Sequence, residues 1–232
     1  MATRQSPPVV ARAAKPASDT DTDTDTDTDT EPGDRRQDIL QAALACATER
    51  GLDAVSIEGV RARCGASVGS IYHHFGSREG IVAALYVALF QRQTAAIAAA
   101  LRHAHTPQQG VQALVHGYLD WVVAYPDQAR FMFQARGLAT QSVRKADLNV
   151  SAQQRNQALV DWFAPHQALG TVLPLPCELL PSLVMGPVQS YCRAWLSAEA
   201  SGTGSLPPPT RFRDELAQAA WQAVAGPGHA RQ

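Results

Sequence analysis

The sequence predicts an all-α protein: an N-terminal three-helix head built around a helix-turn-helix, followed by a larger helical body. Three observations carry that prediction. From about Arg35 onward, apolar residues recur at helical rather than alternating spacing. Residues that open and close helices, among them Gly51, Gly65, Ser67, Ser77 and the pair Thr106-Pro107, fall where that periodicity starts and stops. No convincing strand pattern or βα alternation is present to build a sheet.

The elements follow in order. Asp and Thr alternate from Asp19 to Thr30 with no apolar residue to bury, so the first thirty-odd residues are expected to be disordered. Structure is expected from about Arg35, where Ile39, Leu40, Ala43, Leu44 and Ala47 form a stripe that stops at Gly51. Ile57, Val60 and Cys64 give the next helix one apolar face, Gly65 ends it, and Ser67 caps a third helix through Ile71 to Phe75. That third helix carries small residues at its start and few large charged side chains. A helix entering a major groove needs close approach, polar donors and an apolar underside holding it to the body.

Ser77 is expected to cap a long helix from Arg78 to beyond Leu101, whose Ala-rich second half has high helix propensity. Thr106-Pro107-Gln108-Gln109 is a capping box with proline at the first helical position, opening a helix to about Ala124. Pro126-Asp127 restarts a helix expected to end at Gly137, and another is expected from about Asp147 to Phe163, stopped by Pro165. Pro176 or Cys177 should open a helix to about Ala198, kinked at Gly186-Pro187. Ser201 to Pro209 reads as a loop, and Thr210 as the cap of a last helix.

Gly65-Ala66-Ser67-Val68-Gly69 matches G-x-S-x-G, the nucleophile elbow of α/β hydrolases. That elbow needs a buried strand before it, and Glu58 to Arg63 are charged and helix-periodic instead. Paired carboxylates, a phosphate loop and a catalytic triad order are also missing, so an enzyme is the weaker reading and no cofactor is expected. The four cysteines form no C-x-x-C pair, which disfavours a metal site or a disulfide framework. No uninterrupted run reaches the roughly 18 apolar residues of a membrane span, and a cytoplasmic protein is expected. A helical adaptor that binds only proteins stays open as an alternative.

Net charge is −1 over 232 residues. Its distribution matters more. Three bases against eight acids leave −5 up to Asp34, so the remaining residues carry +4, which suits a polyanionic partner.

From about Arg35 to about Phe90, and most specifically in Tyr72-His73-His74-Phe75-Gly76-Ser77-Arg78-Glu79, the sequence resembles the TetR-type transcriptional regulators. Ser56 replaces the usual Thr, Arg61 and Cys64 replace common Ala, and Arg78 replaces a frequent Lys. Arg61 therefore either points outward to a phosphate or marks altered packing. The resemblance implies a homodimer that binds double-stranded DNA at an inverted-repeat operator and is released by a small organic effector. It divides the chain into an acidic tail (1–32), a DNA-binding domain (33–93), a regulatory and dimerisation domain (94–225) and a short end (226–232).

Carried onto this sequence, the DNA-binding set is Ser56, Arg61, Ser67, Val68, Gly69, Ser70, Tyr72, His73, His74 and Arg78. Within it Ser56, Arg61, Tyr72 and Arg78 are expected on phosphates, and Val68, Ser70 and His73 on bases. The aromatic and methionine residues Tyr118, Trp121, Tyr125, Phe131, Phe133, Trp162 and Met185 are the expected ligand-pocket set. Leu183, Val184, Val188, Tyr191, Trp195, Phe212, Leu216 and Trp221 are the expected dimer interface, being more apolar surface than one thin helical layer should bury.

Overall fold

The computed structural model describes residues 32–142, 160–176, 178–202 and 206–227; the acidic repeat and most of the expected helix at 147–163 lie outside the described residues. Nine α-helices are found among the described residues: α1 Pro32–Arg50, α2 Ile57–Cys64, α3 Val68–Phe75, α4 Arg78–Leu101, α5 Pro107–Ala124, α6 Pro126–Ser142, α7 (160–168), α8 Leu180–Ser201 and α9 Arg213–Val224. Two 3₁₀ turns, Leu52–Ala54 and Pro209–Phe212, precede α2 and α9. The all-α architecture is the expected one.

In the head, α1 packs on α2 and on α4, and α3 is held between α2 and the start of α4. Ile39, Ala43, Val60, Ile71 and Ile81 close its core. α4 then runs unbroken into the body along α5 and α6, so the expected boundary at 93/94 falls inside a helix. The buried side chains of head and body form one continuous cluster. By length and composition alone α4 could cross a membrane. Its Ile81, Val82, Leu85 and Leu89 are buried in the protein core instead.

α5 is the centre of the body and touches α4, α6, α8 and α9. It opens with the expected capping box: Thr106 Oγ1 accepts from the Gln109 N–H, and Gln109 Oε1 accepts from the Thr106 N–H. α7 lies over its first turn, where a Cβ on Gly110 would overlap the Trp162 indole. Directly after α7, residues 171–173 clip the end of α9. Leu173 N–H donates to Val224 O at 2.8 Å and Gly226 N–H to Thr171 O at 3.0 Å. Gly226 is buried, so the chain end assigned to a tail begins inside the structure.

Several boundaries differ from expectation. α1 starts at Pro32 because proline suits a helix's first turn. α6 continues through Gly137 to Ser142; a glycine costs about 1 kcal/mol within a helix, and burial of Ala135 and Ala139 offsets it. α7 runs through Pro165 to residue 168, whereas α8 carries Pro187 inside one helix as expected. α8 begins only at Leu180; just before it Leu179 N–H donates to Pro176 O at 3.0 Å. Thr210 is not a cap: it lies within the 3₁₀ turn, and the position before α9 is Phe212.

The expected dimer residues are largely consumed within one chain. Val184, Val188, Trp195 and Trp221 are buried in the monomer core, where α5, α8 and α9 meet. Leu183, Tyr191, Phe212 and Leu216 are half-buried. Tyr191 donates its hydroxyl to Pro207 O at 3.0 Å and meets the Phe212 ring edge-on. α5 supplies the layer that faces α8 and α9.

Candidate nucleic-acid interface

Four capping positions in succession bound α2 and open α3 and α4. Ser56 Oγ accepts from the Gly59 N–H at 3.0 Å and opens α2. Gly65, at φ 67° and ψ 10°, closes it in the left-handed conformation that favours glycine. Ser67 Oγ accepts from the Ser70 N–H at 3.1 Å and opens α3, and Ser77 does the same for α4 through the Gly80 N–H. Ser67 is thus a helix cap following a helix rather than a strand, and the G-x-S-x-G match has no elbow geometry.

α3 is amphipathic across its short length. Ile71 is fully buried beneath it, while Val68 is 41% and Tyr72 51% exposed on the other side, beside exposed Gly69 and His73. Positions 68, 69, 72 and 73 share one helical face, so the structure brings those four together. Ser70 and His74 flank them and are half-buried. The guanidinium of Arg36 stands over the Phe75 ring at 5.6 Å, which sets the start of α1 beside the end of α3.

The expected phosphate contacts divide. Ser56 and Ser67 spend an acceptor lone pair on capping, and each hydroxyl proton is still available to donate. Arg61 points outward, 48% exposed and 3.3 Å from Glu58, so the altered-packing alternative falls away. Arg78 does not fit the phosphate role expected of it. Its Nε donates to Val55 O at 2.6 Å and its Nη2 to Leu52 O at 3.1 Å, with Asp53 and Glu79 within 4 Å. The guanidinium is turned inward and ties the segment before α2 to the first turn of α4. Glu79 is held below the usual carboxylate range, first by its own backbone N–H and then by the Ser77 hydroxyl.

Three features here had little sequence signal. Arg63 pairs with Glu49 and ties α2 to α1, an ion pair across 14 residues that no local pattern reveals. The 3₁₀ turn at Leu52–Ala54 supplies one of the carbonyls Arg78 reaches. A Cβ on Gly80 would overlap the Phe75 carbonyl oxygen, so glycine sets the closeness of α3 and α4.

Among the described residues, those expected to line a ligand pocket are spread through the body, several of them packed into its core. Tyr118, Trp121 and Phe131 are buried core, and burial pushes the Tyr118 hydroxyl pKa up. Trp162 sits over Gly110, Phe133 lies under the Arg193 guanidinium at 5.3 Å, and Met185 is half-buried against the core. Tyr125 is exposed, with Arg92 of α4 over its ring at 5.7 Å. Two crevices of about 370 and 400 Å³ lie instead along the seam between α1 and α6. Phe131 lines the first of them and Tyr125 the second.

Residues 39–85 match the family described as bacterial regulatory proteins, tetR family. The HTH-type transcriptional repressor AcnR of Corynebacterium glutamicum is 36% identical over 55 residues, covering 24% of this chain and 29% of the repressor. The chain therefore aligns with less than a third of that relative's length. Beyond the head the likeness is one of fold. A TetR family transcription regulator from Marinobacter aquaeolei VT8 superposes with a TM-score of 0.64 at 16% identity, over 84% of this chain and 97% of that one. FadR from Bacillus subtilis, solved with stearoyl-CoA, gives 0.65 at 12% identity over 81% and 98%.

Proposed function

We propose, for a chain whose head belongs to the TetR family of bacterial regulatory proteins, that it is a cytoplasmic, homodimeric, sequence-specific DNA-binding repressor released by a small organic effector, and not an enzyme. The observation that carries the reading is α3: a short helix anchored by fully buried Ile71 whose outer face leaves Val68 and Tyr72 bare. An apolar and an aromatic side chain side by side on the outer face of a short, well-anchored helix give a partner a surface to pack against. The family match of residues 39–85 supports DNA as that partner.

Tyr72 offers its hydroxyl to phosphate, and Val68 and His73 face the base edges. Ser56 and Arg61 flank them on α2. Two such heads would sit about 34–36 Å apart on successive major grooves, reading an inverted repeat. Dimerisation would use the outward side of α8 and α9 rather than their buried apolar side. On α8, Pro187, Ser190, Ala194 and Ser197 are exposed at helical spacing, small enough for a second copy to approach closely. The effector would be a weakly polar organic molecule; of the stearoyl-CoA named in the FadR structure only the acyl chain has that character, its coenzyme A part being highly charged. It must bind more tightly to the conformation whose heads are wrongly spaced, or it cannot release DNA.

The test is retention of a fragment from the protein's own upstream region against competitor DNA, followed by two variants. Tyr72→Phe should weaken binding to all sequences alike, whereas His73→Ala should change which bases are preferred. No retention at any salt would leave a helical adaptor. Reversed effects of the two variants would overturn the assignment of roles on α3.

A further inference from the structure

The head is barely cationic for a domain that must hold a polyanion. Residues 35–85 contain six arginines and five acids, a net charge of +1 with histidine neutral. Arg61, Arg63 and Arg78 each stand within salt-bridge distance of a carboxylate of the head itself. Immediately before it, residues 19–34 carry eight acids and no base. Head and acidic segment together are thus strongly negative, and that sum opposes DNA wherever the segment lies near the interface.

Its point of attachment is beside that interface. α1 begins at Pro32, and one turn later the Arg36 guanidinium stands over Phe75, the last residue of α3. The acidic segment therefore joins the protein beside the end of the recognition helix. Its 13 residues from 19 to 31 can span up to about 43 Å. α3, with its eight residues, is only about 12 Å long. Reach is not limiting, and a tether of this length holds the acids at an effective concentration of order millimolar.

We propose that residues 19–31 compete with DNA for the outer face of α3 and the adjoining start of α1, so that the chain carries its own electrostatic competitor. The inference rests on the DNA-binding reading above. Charge density decides what such a competitor can do. Alternating acids give one charge per roughly 7 Å of extended chain, against one per about 1.7 Å along duplex DNA. A closed state that excludes DNA weakens operator and non-specific duplex by the same factor, so base preference is unchanged. Occupancy is lost first on non-specific duplex, whose weaker binding is almost wholly electrostatic. The segment therefore thins weak, sequence-independent occupancy while a tightly bound operator stays filled.

The experiment compares three full-length proteins by fluorescence anisotropy on a non-specific duplex and on the operator fragment. They are the native chain, a variant with Asp19, Asp21, Asp23, Asp25, Asp27 and Asp29 all changed to Asn, and one with the same six changed to Glu. If the segment covers the face nine-tenths of the time, the Asn variant should bind non-specific duplex about tenfold more tightly at low salt. The gain should shrink to within about twofold once the Debye length falls well below 8 Å. The Glu variant should behave as the native chain, and base preference should be common to all three. Equal affinities of native and Asn proteins at low salt would overturn the proposal, as would a Glu variant that tightens like the Asn one. Failure of all three to bind any duplex would instead remove the regulator reading, and this inference with it.

Discussion

Replacing Arg78 separates a residue that builds the reading head from one that touches DNA. Its guanidinium makes two charge-assisted hydrogen bonds, to Val55 O and Leu52 O, and its side chain is 28% exposed. Hydrogen bonds involving a charged group contribute about 1.5–3 kcal/mol each when shielded. Partial exposure lowers that, and the pairings with Asp53 and Glu79 add little because those carboxylates are well solvated. Arg78→Met should therefore destabilise the protein by about 2–3 kcal/mol. For a chain of this size that is a fall in melting temperature of about 5–10 °C. Arg78→Lys should recover little of it, since an ammonium cannot reproduce the two-pronged reach of the guanidinium. The assay is thermal unfolding by circular dichroism alongside the salt dependence of DNA affinity. A positioning residue lowers the melting temperature and leaves the slope of log affinity against log salt unchanged. A phosphate contact does the reverse, reducing that slope by about one. Unchanged melting with a reduced slope, restored by lysine, would refute the structural role.

Three further outcomes follow from the packing. Gly80→Ala should push α3 away from α4, because the new Cβ meets backbone rather than a movable side chain; a loss of about 1–3 kcal/mol and of operator retention is expected by denaturant titration and gel shift. Val188→Asp should unfold the chain rather than release folded monomers, since Val188 is 1% exposed and an unpaired buried carboxylate costs several kcal/mol; sedimentation of Ala194→Glu, on the outward face of α8, should instead report folded monomer. Cys192 is buried and desolvation pushes its thiol pKa up to about 12, so a thiol reagent at pH 8 should label it only after unfolding, which mass spectrometry of the labelled peptide would show.

Where the chain turns was written locally, and so was most of the head. Ser56, Ser67, Ser77 and Thr106 cap through backbone groups three residues away, and Gly65 supplies a positive φ at its own position. Such interactions span one helical turn, so residue type and spacing determined them without knowledge of the rest of the fold. The alternation of buried Ile71 with bare Val68 and Tyr72 is equally local, because helical period alone separates the two faces. Long-range partners decided everything else. Arg78 looked like a phosphate contact until the carbonyls of Leu52 and Val55, more than twenty residues earlier, were brought within reach. The period of α8 marks Val188 and Trp195 as apolar, and the helices packed against it bury them; Tyr118 and Trp121 are likewise buried by neighbours that their own helix does not specify. Period identifies which side of a helix is apolar. Only the packed chain determines what covers that side, because burial depends on neighbours distant in sequence.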